Sequence, residues 1–520
     1  MEENLKKVKN EKNTDQTLKK NASKTLMSIN KDPLFLSTTK LVSIYRNRFK
    51  TNKANVYDVA KETPLTVASN LSDKLSRNVF LKREDLQPAF SFKLRGAYNR
   101  MQQLNEIEQK NGVIACSAGN HAQGLKATIV MPLETPSLKV KNVIKLGGKV
   151  VLFGKDFDEA KQECKRLSLL EGLTIIHPFD DPYVIAGQGT IAPEIFRQHD
   201  PKDISAIFVC IGGGGLICGI AAYTKKVFPH IKIIGVEAFD AAGMTSSLEV
   251  GKIVNLSTVG LFADGAAVRS VGNLNFLIAK DLIDGTVLVS TDEICAAIKD
   301  VFEDTRSIVE PAGALAVAGL KKYIQHLNLN NENLLEVGKN SLVAICSGAN
   351  MNFDRLKFVA ERADLGEDLE VLISVVIPEK PGTFVQLYKA ISPRKITEFV
   401  YRYENTEKAN VILSFKVNQK NVTREEDVET VFRDLNNLGF FARDLSYNEM
   451  AKAHARYFGG GRKKVPSERH YRYFGGDTGT ICLGIQVLEE TRVEFESFIQ
   501  EFPFHSKEET NNEVYQDFLT

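Results

Sequence analysis

The stretch "ISAIFVCIGGGGLICGIAAYT", residues 204–224, contains no charged side chain. An uncharged run of this length is compatible with a membrane span. However, four consecutive glycines interrupt it at positions 212–215. The β-branched and aromatic residues before the glycines are typical of a buried strand, and the residues after them are compatible with an apolar helix. We therefore interpret the stretch as a strand, a glycine turn and a helix inside an α/β domain.

The same alternation of strand and helix patterns extends over residues 56–354. Short apolar runs such as "GVIACS", "KATIVMP", "GKVVLFG" and "SLVAICSG" predict strands, whereas "FDEAKQECKRLSLLEG" and "TDEICAAIKDVFEDT" predict amphipathic helices. Nearly continuous apolar strands separated by helices are typical of parallel sheets covered on both faces. We therefore predict an α/β domain over residues 51–360, with its ligand site at the carboxyl ends of the strands.

The pattern changes after residue 366. The order strand, helix, strand, strand, helix predicts a small α+β module over residues 369–447. Its second half recurs, because "ANVILSFKV…DVETVFRDLNNLGF" resembles "GTICLGIQV…RVEFESFIQEFPF" near the C-terminus. Residues 469–520 are therefore predicted to form an incomplete second copy, which lacks the opening strand and helix.

Composition excludes several classes of partner. The chain carries 67 basic and 65 acidic residues, so its net charge of +2 gives no field for nucleic acid or for an anionic membrane surface. The seven cysteines are scattered without a C-x-x-C pair, and the eight histidines lie at no ligand spacing. We therefore expect neither disulfides nor a bound metal.

The N-terminal segment, residues 1–50, differs from the rest of the chain. Its Lys- and Asn-rich start predicts disorder. Residues 27–53 are rich in basic and hydroxyl side chains, which is typical of a mitochondrial or plastid transit peptide. The acidic residues Glu2 and Glu3 argue against that interpretation, so a mitochondrial and a cytoplasmic location both stay open.

The four glycines, Gly212, Gly213, Gly214 and Gly215, predict a phosphate site. Glycines allow backbone N–H groups to converge, and the following helix N-terminus adds partial positive charge. A dinucleotide fingerprint fits less well, since Ile217 or Cys218 occupies the place of the third glycine. A simple tight turn is the remaining alternative.

Three further segments carry polar residues at predicted element ends. "IACSAGNHAQG", residues 114–124, places Asn120 and His121 after a strand, in a loop suited to a carboxylate. "AICSGAN" places Ser347 at the tip of another strand, and "FSFKLRGAY" places Lys93 between an aromatic residue and a basic helical turn. Taken singly, each is also ordinary loop composition.

Together, "SFKLRGA", "SAGNHAQG", "GGGGL" and "SGANMNFDRL" resemble the motifs of fold-type II (tryptophan synthase β-like) pyridoxal-phosphate enzymes. With "FADGAAVRSVG", "DTRSIVEPAGALA" and the C-terminal repeats, the resemblance narrows to the biosynthetic threonine dehydratase (threonine ammonia-lyase) family and covers residues 56–519. It implies an α/β catalytic domain with parallel sheets, followed by ACT-like regulatory domains over residues 369–447 and 469–520.

The resemblance also implies a role for each site residue. Lys93 would form the Schiff base with pyridoxal 5'-phosphate and act as the catalytic base, with Phe92 close to the ring. The four glycines would hold the phosphate, Asn120 the ring hydroxyl, and Ser347 the ring nitrogen. The segment formed by Ser117, Ala118, Gly119, Asn120 and His121 would bind the substrate carboxylate.

The implied reaction is the deamination of L-threonine to 2-oxobutanoate and ammonia, the first step of isoleucine biosynthesis. Isoleucine and valine would act as opposing effectors, and a homotetramer or another homo-oligomer is expected. Two alternatives stay open: a serine/threonine dehydratase of broader specificity, and a catalytically impaired amino-acid sensor. Related racemases bind a divalent cation through two carboxylates, but here Gly243 stands where the partner of Glu237 belongs, so no metal is expected.

The connection between two predicted strands is unusually short. Only residues 117–126 separate "GVIAC" from "ATIVM", whereas a parallel crossover normally needs a dozen residues or more. Either the sequence has lost a segment here, which the similarly shortened second C-terminal copy favours, or the covering helix is missing and the Asn120 loop lacks local support.

Overall fold

The computed structural model describes residues 26–28 and 54–512, except residues 118, 124–126, 134, 136, 146, 156, 330–340, 404–407, 419–422, 455–467, 477–478, 488–490, 502–505 and 509–511. The strands are β1 Leu26–Ser28, β2 Leu65–Val67, β3 Asn78–Arg83, β4 Val113–Cys116, β5 Thr128–Met131, β6 Lys149–Leu152, β7 Thr174–Ile175, β8 Ile204–Cys210, β9 Lys232–Ala238, β10 Gly285–Val289, β11 Ser341–Cys346, β12 Glu370–Pro378, β13 Ile396–Tyr403, β14 Lys408–Lys416, β15 Phe441–Asp444, β16 Glu468–Gly476, β17 Gly479–Val487 and β18 Ser506–Glu508.

The α-helices are α1 Ser69–Leu75, α2 Lys93–Met101, α3 Glu106–Asn111, α4 Asn120–Gln123, α5 Ser137–Lys145, α6 Phe157–Glu171, α7 Pro182–Gly189, α8 Ile191–Gln198, α9 Gly215–Val227, α10 Gly243–Val250, α11 Asn273–Leu282, α12 Thr291–Thr305, α13 Pro311–Leu329, α14 Arg355–Gly366, α15 Thr383–Ile391, α16 Arg424–Asn437, α17 Glu449–His454 and α18 Arg492–Glu501. The chain divides into two compact units, Met1–Ala363 and Asp364–Thr520.

The first unit contains a large, mainly parallel sheet with the strand order β1-β10-β9-β8-β11-β3-β2. The strands from β10 to β3 run parallel, and the edge strands β1 and β2 are antiparallel to their neighbours. Every residue of β11 is buried, as expected for a strand covered on both faces. Because β8, β11 and β3 are adjacent and parallel, the loops after them meet at one edge of the sheet.

A smaller parallel sheet in the same unit has the order β6-β5-β4-β7. One face packs against α2 and α5 through Ala97 and Val143, and the other packs against α6 through Ala160 and Cys164. The crossover from β4 to β5 contains α4, a helix of only four residues. In the part of this crossover that the structure describes, the longer covering helix is absent, and both faces of β4 are nevertheless buried.

The second unit begins with an antiparallel sheet of order β13-β14-β12-β15. Alternate residues of β12 and β14 point to one face, where they pack with Leu387 of α15 and Val431 of α16. This is the α+β module predicted from the strand and helix order, with β15 as an additional strand.

The second copy differs from the prediction in one respect. Its sheet has the order β17-β16-β18, so β16 pairs with the strand before α18 and with the last strand. In the first module β12 pairs with β14 and β15 in the same way. Among residues 468–508 as described, the opening strand is therefore present as β16. Within the described part of residues 468–508, the structure contains no counterpart of α15 or β13.

Three residues of the N-terminal segment depart from the predicted disorder. Leu26–Ser28 forms β1, which pairs with β10. The remainder of residues 1–53 lies outside the described residues. Within the described part of the chain, no helix has the length and apolar character needed to cross a membrane.

Candidate active site

The site is built where three neighbouring strands of the large sheet end. Backbone hydrogen bonds join the loop after β3 to the loop after β11. Phe92 N–H donates to Ser347 O at 3.2 Å, and Ala349 N–H donates to Phe90 O at 2.9 Å. Phe90 has a φ of 52°, in the left-handed region that side chains rarely adopt. This local strain is held by the pairing of the two loops, which places Lys93 beside Ser347.

Lys93 is the first residue of α2 and lines a cavity at the strand ends. Burial lowers the pKa of its amine, and the nearby Cys210 and Glu310 oppose this shift. The Nζ atom lies 5.8 Å from the centroid of the Phe92 ring. A buried lysine with a lowered pKa can serve as a nucleophile and a base, since it gives up its proton more readily than a lysine in water.

A buried charge network holds α2 in place. The Arg95 guanidinium forms two hydrogen bonds of 2.8 Å to the Glu84 carboxylate and bonds of 2.5 and 2.9 Å to Glu194. Lys82 Nζ donates to the second oxygen of Glu194 at 2.6 Å. The side chains of these four residues are fully buried. Two bases and two acids balance, which offsets the cost of burying charge.

The four glycines connect β8 to α9, as predicted. Gly214 has a φ of 96°, which favours glycine, and α9 runs for 13 residues from Gly215. A Cβ atom at Gly213 would lie 2.2 Å from the Phe179 ring, so a side chain cannot fit there. The bare backbone at the positive end of a long helix suits a phosphate group.

Ser347 lies at the tip of β11 and is buried. Its hydroxyl donates to Ala312 O at 3.2 Å and accepts a weak hydrogen bond from the Cys210 thiol at 3.4 Å. Both partners are neutral. The position therefore offers an uncharged hydroxyl to a ligand.

Asn120 begins α4 and contacts a residue that the sequence patterns did not single out. Its Nδ2 donates to Glu310 Oε1 at 2.6 Å, and its Oδ1 accepts from Asn350 Nδ2 at 2.8 Å. Glu310 is buried, and this burial raises the pKa of its carboxyl to about 7. The sequence feature that could have identified Glu310 is a single acidic residue directly before a proline-initiated apolar helix, "VEPAGALA".

The predicted carboxylate-binding segment lies beside these residues. His121 is 1% exposed, and its Nε2–H donates to Ile176 O at 3.2 Å. Burial lowers the pKa of this imidazole to about 3, with a further contribution from Lys93, so the ring is neutral. Gly119 N–H donates to Ser117 Oγ at 3.3 Å. Ala118 lies outside the described residues.

One cavity brings most of the predicted residues together. Phe92, Lys93, Asn120, Ser347 and the four glycines line it. Among the described residues, Ser117, Gly119 and His121 are outside its lining. The sequence analysis missed several lining residues: Pro178, Phe179, Gln188, Cys210, Leu216, Gly265, Ala266, Glu310 and Ala312.

Glu237 has a structural role. Its carboxylate accepts from the Met244 and Thr245 backbone N–H groups at 2.8 Å and from Thr245 Oγ1 at 2.6 Å. These donors occupy both oxygens, so Glu237 caps the start of α10. The described residues contain no group of three or more His, Cys, Asp or Glu side chains arranged to hold a metal ion.

The cavity fits pyridoxal phosphate on chemical grounds. It combines a lysine with a lowered pKa, a backbone cradle at a helix N-terminus and a neutral hydroxyl. These groups match an aldehyde, a phosphate and a pyridine nitrogen, respectively.

Comparisons with known proteins agree with this fit. Residues 56–346 match the family described as "Pyridoxal-phosphate dependent enzyme", and residues 361–455 match the "C-terminal regulatory domain of Threonine dehydratase". The chain is 49% identical to the mitochondrial threonine dehydratase of Saccharomyces cerevisiae, over 90% of this chain and 88% of that protein. It is 44% identical to the biosynthetic L-threonine dehydratase of Burkholderia multivorans, over 90% of this chain and 98% of that protein.

Two solved structures align with 60–66% of this chain. The processed form of threonine deaminase isoform 2 from Solanum lycopersicum aligns with a TM-score of 0.59 and 47% identity, covering 66% of this chain and 92% of that one. Maize serine racemase aligns with a TM-score of 0.55 and 29% identity, covering 60% and 96%. Because the sequence relatives extend over both units, the chain belongs to the threonine dehydratase family of pyridoxal-phosphate-dependent enzymes.

Proposed function

We propose that this chain deaminates L-threonine to 2-oxobutanoate and ammonia with pyridoxal 5'-phosphate as cofactor. The observation that carries the proposal is the position of Lys93. Its amine, with a lowered pKa, shares one cavity with the four-glycine helix start and with Ser347. The relative from Burkholderia multivorans is named as a biosynthetic enzyme, which supports the first step of isoleucine biosynthesis as the role of this reaction.

Each part of the cofactor has a matching group in the cavity. The backbone N–H groups of Gly212–Gly215 would hold the phosphate, Lys93 the aldehyde carbon, and Asn120 the ring oxygen. Phe92 would lie beside the ring and Ser347 against the ring nitrogen. When bound, the cofactor supplies an electron sink for negative charge that develops at the substrate Cα.

Lys93 would move the proton. Burial lowers the pKa of its amine, so the amine can take the Cα proton of threonine as a general base. The charge left at Cα would then form a double bond to Cβ and break the bond to the β-hydroxyl, which would take up a proton and leave as water. The product nitrogen leaves as ammonia when water hydrolyses the enamine product.

Ser347 would favour elimination over competing reactions. A hydroxyl with only neutral partners does not stabilise a protonated pyridine nitrogen, whereas a carboxylate there would accept a hydrogen bond from it and stabilise its positive charge. Ser347 would therefore leave the ring nitrogen unprotonated, which would shorten the lifetime of the charge at Cα and favour loss of the β-hydroxyl. The backbone of Ser117, Gly119 and His121 would bind the substrate carboxylate, and the neutral imidazole of His121 adds no charge to that step.

Regulation, assembly and location are further parts of the proposal. The second unit carries a regulatory module, for which isoleucine and valine are the proposed effectors and a homo-oligomer the proposed assembly. A mitochondrial location is proposed because the relatives from Saccharomyces cerevisiae and Schizosaccharomyces pombe are named as mitochondrial proteins. Plant relatives are named as chloroplastic.

Replacing Lys93 by alanine tests the proposal. The purified full chain should show visible absorbance from bound pyridoxal phosphate and release 2-oxobutanoate from threonine. Lys93→Ala should abolish the covalent absorbance band and reduce turnover by at least about a hundredfold, since a positioned general base contributes on that order or more.

Lys322→Ala is a suitable control. Lys322 pairs with Glu293 on the neighbouring helix and is not a lining residue of the cavity. This variant should keep both the absorbance and the turnover. Normal threonine deamination by Lys93→Ala would disprove the assigned role of Lys93, and a wild-type protein that binds the cofactor without turnover would favour the sensor alternative.

A further inference from the structure

Glu310 lies at the junction of three loops around the cavity. It directly precedes α13, and its carbonyl accepts the first helical hydrogen bond, from Ala314 N–H at 3.1 Å. Its own N–H donates to Gly348 O at 3.1 Å, in the loop that carries Ser347. The residue is only 3% exposed. The backbone therefore holds Glu310 firmly at the start of a long helix.

The Glu310 side chain reaches the Asn120 loop because the neighbouring position 348 has no side chain. A Cβ atom at Gly348 would lie 2.4 Å from Glu310 Oε1, too close for the two atoms to coexist. Glu310 Oε1 accepts from Asn120 Nδ2 at 2.6 Å. The absence of a side chain at Gly348 therefore leaves room for Glu310, at the start of α13, to contact the first turn of α4.

Two contacts fix the orientation of the Asn120 side-chain amide. The amide nitrogen of Asn120 donates to Glu310, and its amide oxygen accepts from Asn350. Asn350 donates one N–H to Asn120 Oδ1 at 2.8 Å and its other N–H to Ala89 O at 2.9 Å. Since Asn350 is itself anchored, the Asn120 amide cannot rotate by half a turn without losing its hydrogen bonds to Glu310 and Asn350. One N–H of Asn120 stays available, and the residue lines the cavity.

We propose that Glu310 is a positioning residue for the cofactor and acts through Asn120. Together with Asn350 it keeps an amide N–H, rather than the amide oxygen, directed at the ring oxygen of pyridoxal phosphate. The support comes from the helix start of α13 and from the loop after β11, so it does not depend on the short α4. This inference rests on the proposed function, because it assumes the cofactor in this cavity.

The test is a double-substitution cycle read by cofactor binding. The dissociation constant of pyridoxal phosphate and the wavelength of its bound absorbance band are measured for wild type, Glu310→Gln, Asn120→Ala and the double variant. Glu310→Gln lets the Asn120 amide turn over, and we expect binding about tenfold to a hundredfold weaker with a shifted band. In the Asn120→Ala background the same substitution should cause no further loss, because the two residues act as one unit.

Two additional variants keep the test decisive. Glu237→Gln removes a buried carboxylate that caps α10 and should leave the band wavelength unchanged. Asn350→Asp places an acceptor against Asn120 Oδ1, and should weaken binding in the wild-type background but not in Asn120→Ala. Asn350→Asp replaces Glu310→Gln in the cycle if circular dichroism shows that the Glu310→Gln variant does not fold.

The inference is overturned if the losses from Glu310→Gln and Asn120→Ala are additive, or if both Glu310→Gln and Asn350→Asp bind the cofactor as tightly as wild type. Neither result affects the proposed function. That function is judged by the absorbance and threonine turnover of the wild-type chain.

Discussion

At the scale of single residues, burial sets the chemistry of the site. The same loss of water lowers the pKa of the Lys93 amine and the His121 imidazole and raises that of the Glu310 carboxyl. Each shift favours the uncharged form, because a charged group loses hydration when it is buried. The site therefore has a base, a neutral ring and a carboxyl group whose protonation states differ from those in water.

His121 should make the stability of the folded chain depend on pH. Its pKa is about 3 in the folded state and 6.5 for an ordinary exposed imidazole, so the unfolded chain binds the additional proton below pH 6.5. Stability is therefore present above pH 6.5 and is lost as pH falls toward 3, by about 1.4 kcal/mol per pH unit. Urea unfolding at pH 4 to 7 should show that His121→Gln lacks this slope.

Comparing wild type with His121→Gln isolates the contribution of His121 to the pH dependence of stability, because the two proteins share all other titrating groups. At pH 4 wild type should have lost about 3 kcal/mol more than His121→Gln, relative to pH 7. Parallel stability curves for the two proteins would contradict the neutral, buried state of His121.

At the scale of elements, α2 matters because it carries Lys93 at its first position. Arg95 lies two residues further along the same helix and contacts Glu84, in the turn after β3, and Glu194 of α8. The orientation of Lys93 therefore depends on the contacts of α2 with the turn after β3 and with α8.

Arg95→Ala should destabilise the fold strongly. The substitution leaves the Glu84 carboxylate buried without its arginine partner and Glu194 with only one base, and breaking such a network costs about 3–5 kcal/mol. Arg197→Ala is a matched control. Arg197 pairs with Glu62 at 2.8 Å, but both side chains are about half exposed, so the expected change is below about 1 kcal/mol. Urea unfolding of both variants measures the difference, and similar losses would show that the Arg95 network does not hold α2.

The short crossover at α4 shows how one element can be supported by distant ones. The sequence indicates either a lost segment or a missing helix with an unsupported Asn120 loop. The structure has a four-residue helix there, yet Asn120 is bonded to Glu310 and Asn350 on the other side of the cavity. The loss of local structure thus does not leave the residue without contacts.

At the scale of the whole molecule, the two modules of the second unit are unequal. The first has four strands and two helices, α15 and α16, packed on one face of its sheet. The second has three strands and α18 among its described residues, and Val493 and Phe498 of α18 are 79% and 55% exposed. A layer with too few helices leaves apolar surface in water.

We therefore expect weak or absent inhibition by isoleucine. Threonine deamination by the full chain is measured against increasing isoleucine, with and without valine. Turnover should change little over a concentration range that saturates an amino-acid site. Strong cooperative inhibition, relieved by valine, would show that the shortened second module still supports regulation.

The sequence by itself determined the fold class, the four-glycine turn between β8 and α9, and the presence of Lys93, Asn120 and Ser347 at element ends. These features follow from local patterns, because apolar periodicity and glycine runs depend on neighbours along the chain. The order of parallel strands also implied that the loops meet at one edge.

Only the tertiary structure decided what surrounds those residues. Asn120 and Glu310 are 190 positions apart, and Arg95 and Glu194 are 99 apart, so no local pattern links them. The role of β16 as the central strand of the second module, and the Phe179 ring against Gly213, likewise depend on packing. Burial, and with it each shifted pKa, arises when distant elements exclude water from the same place, which is a property of the folded chain and not of any segment.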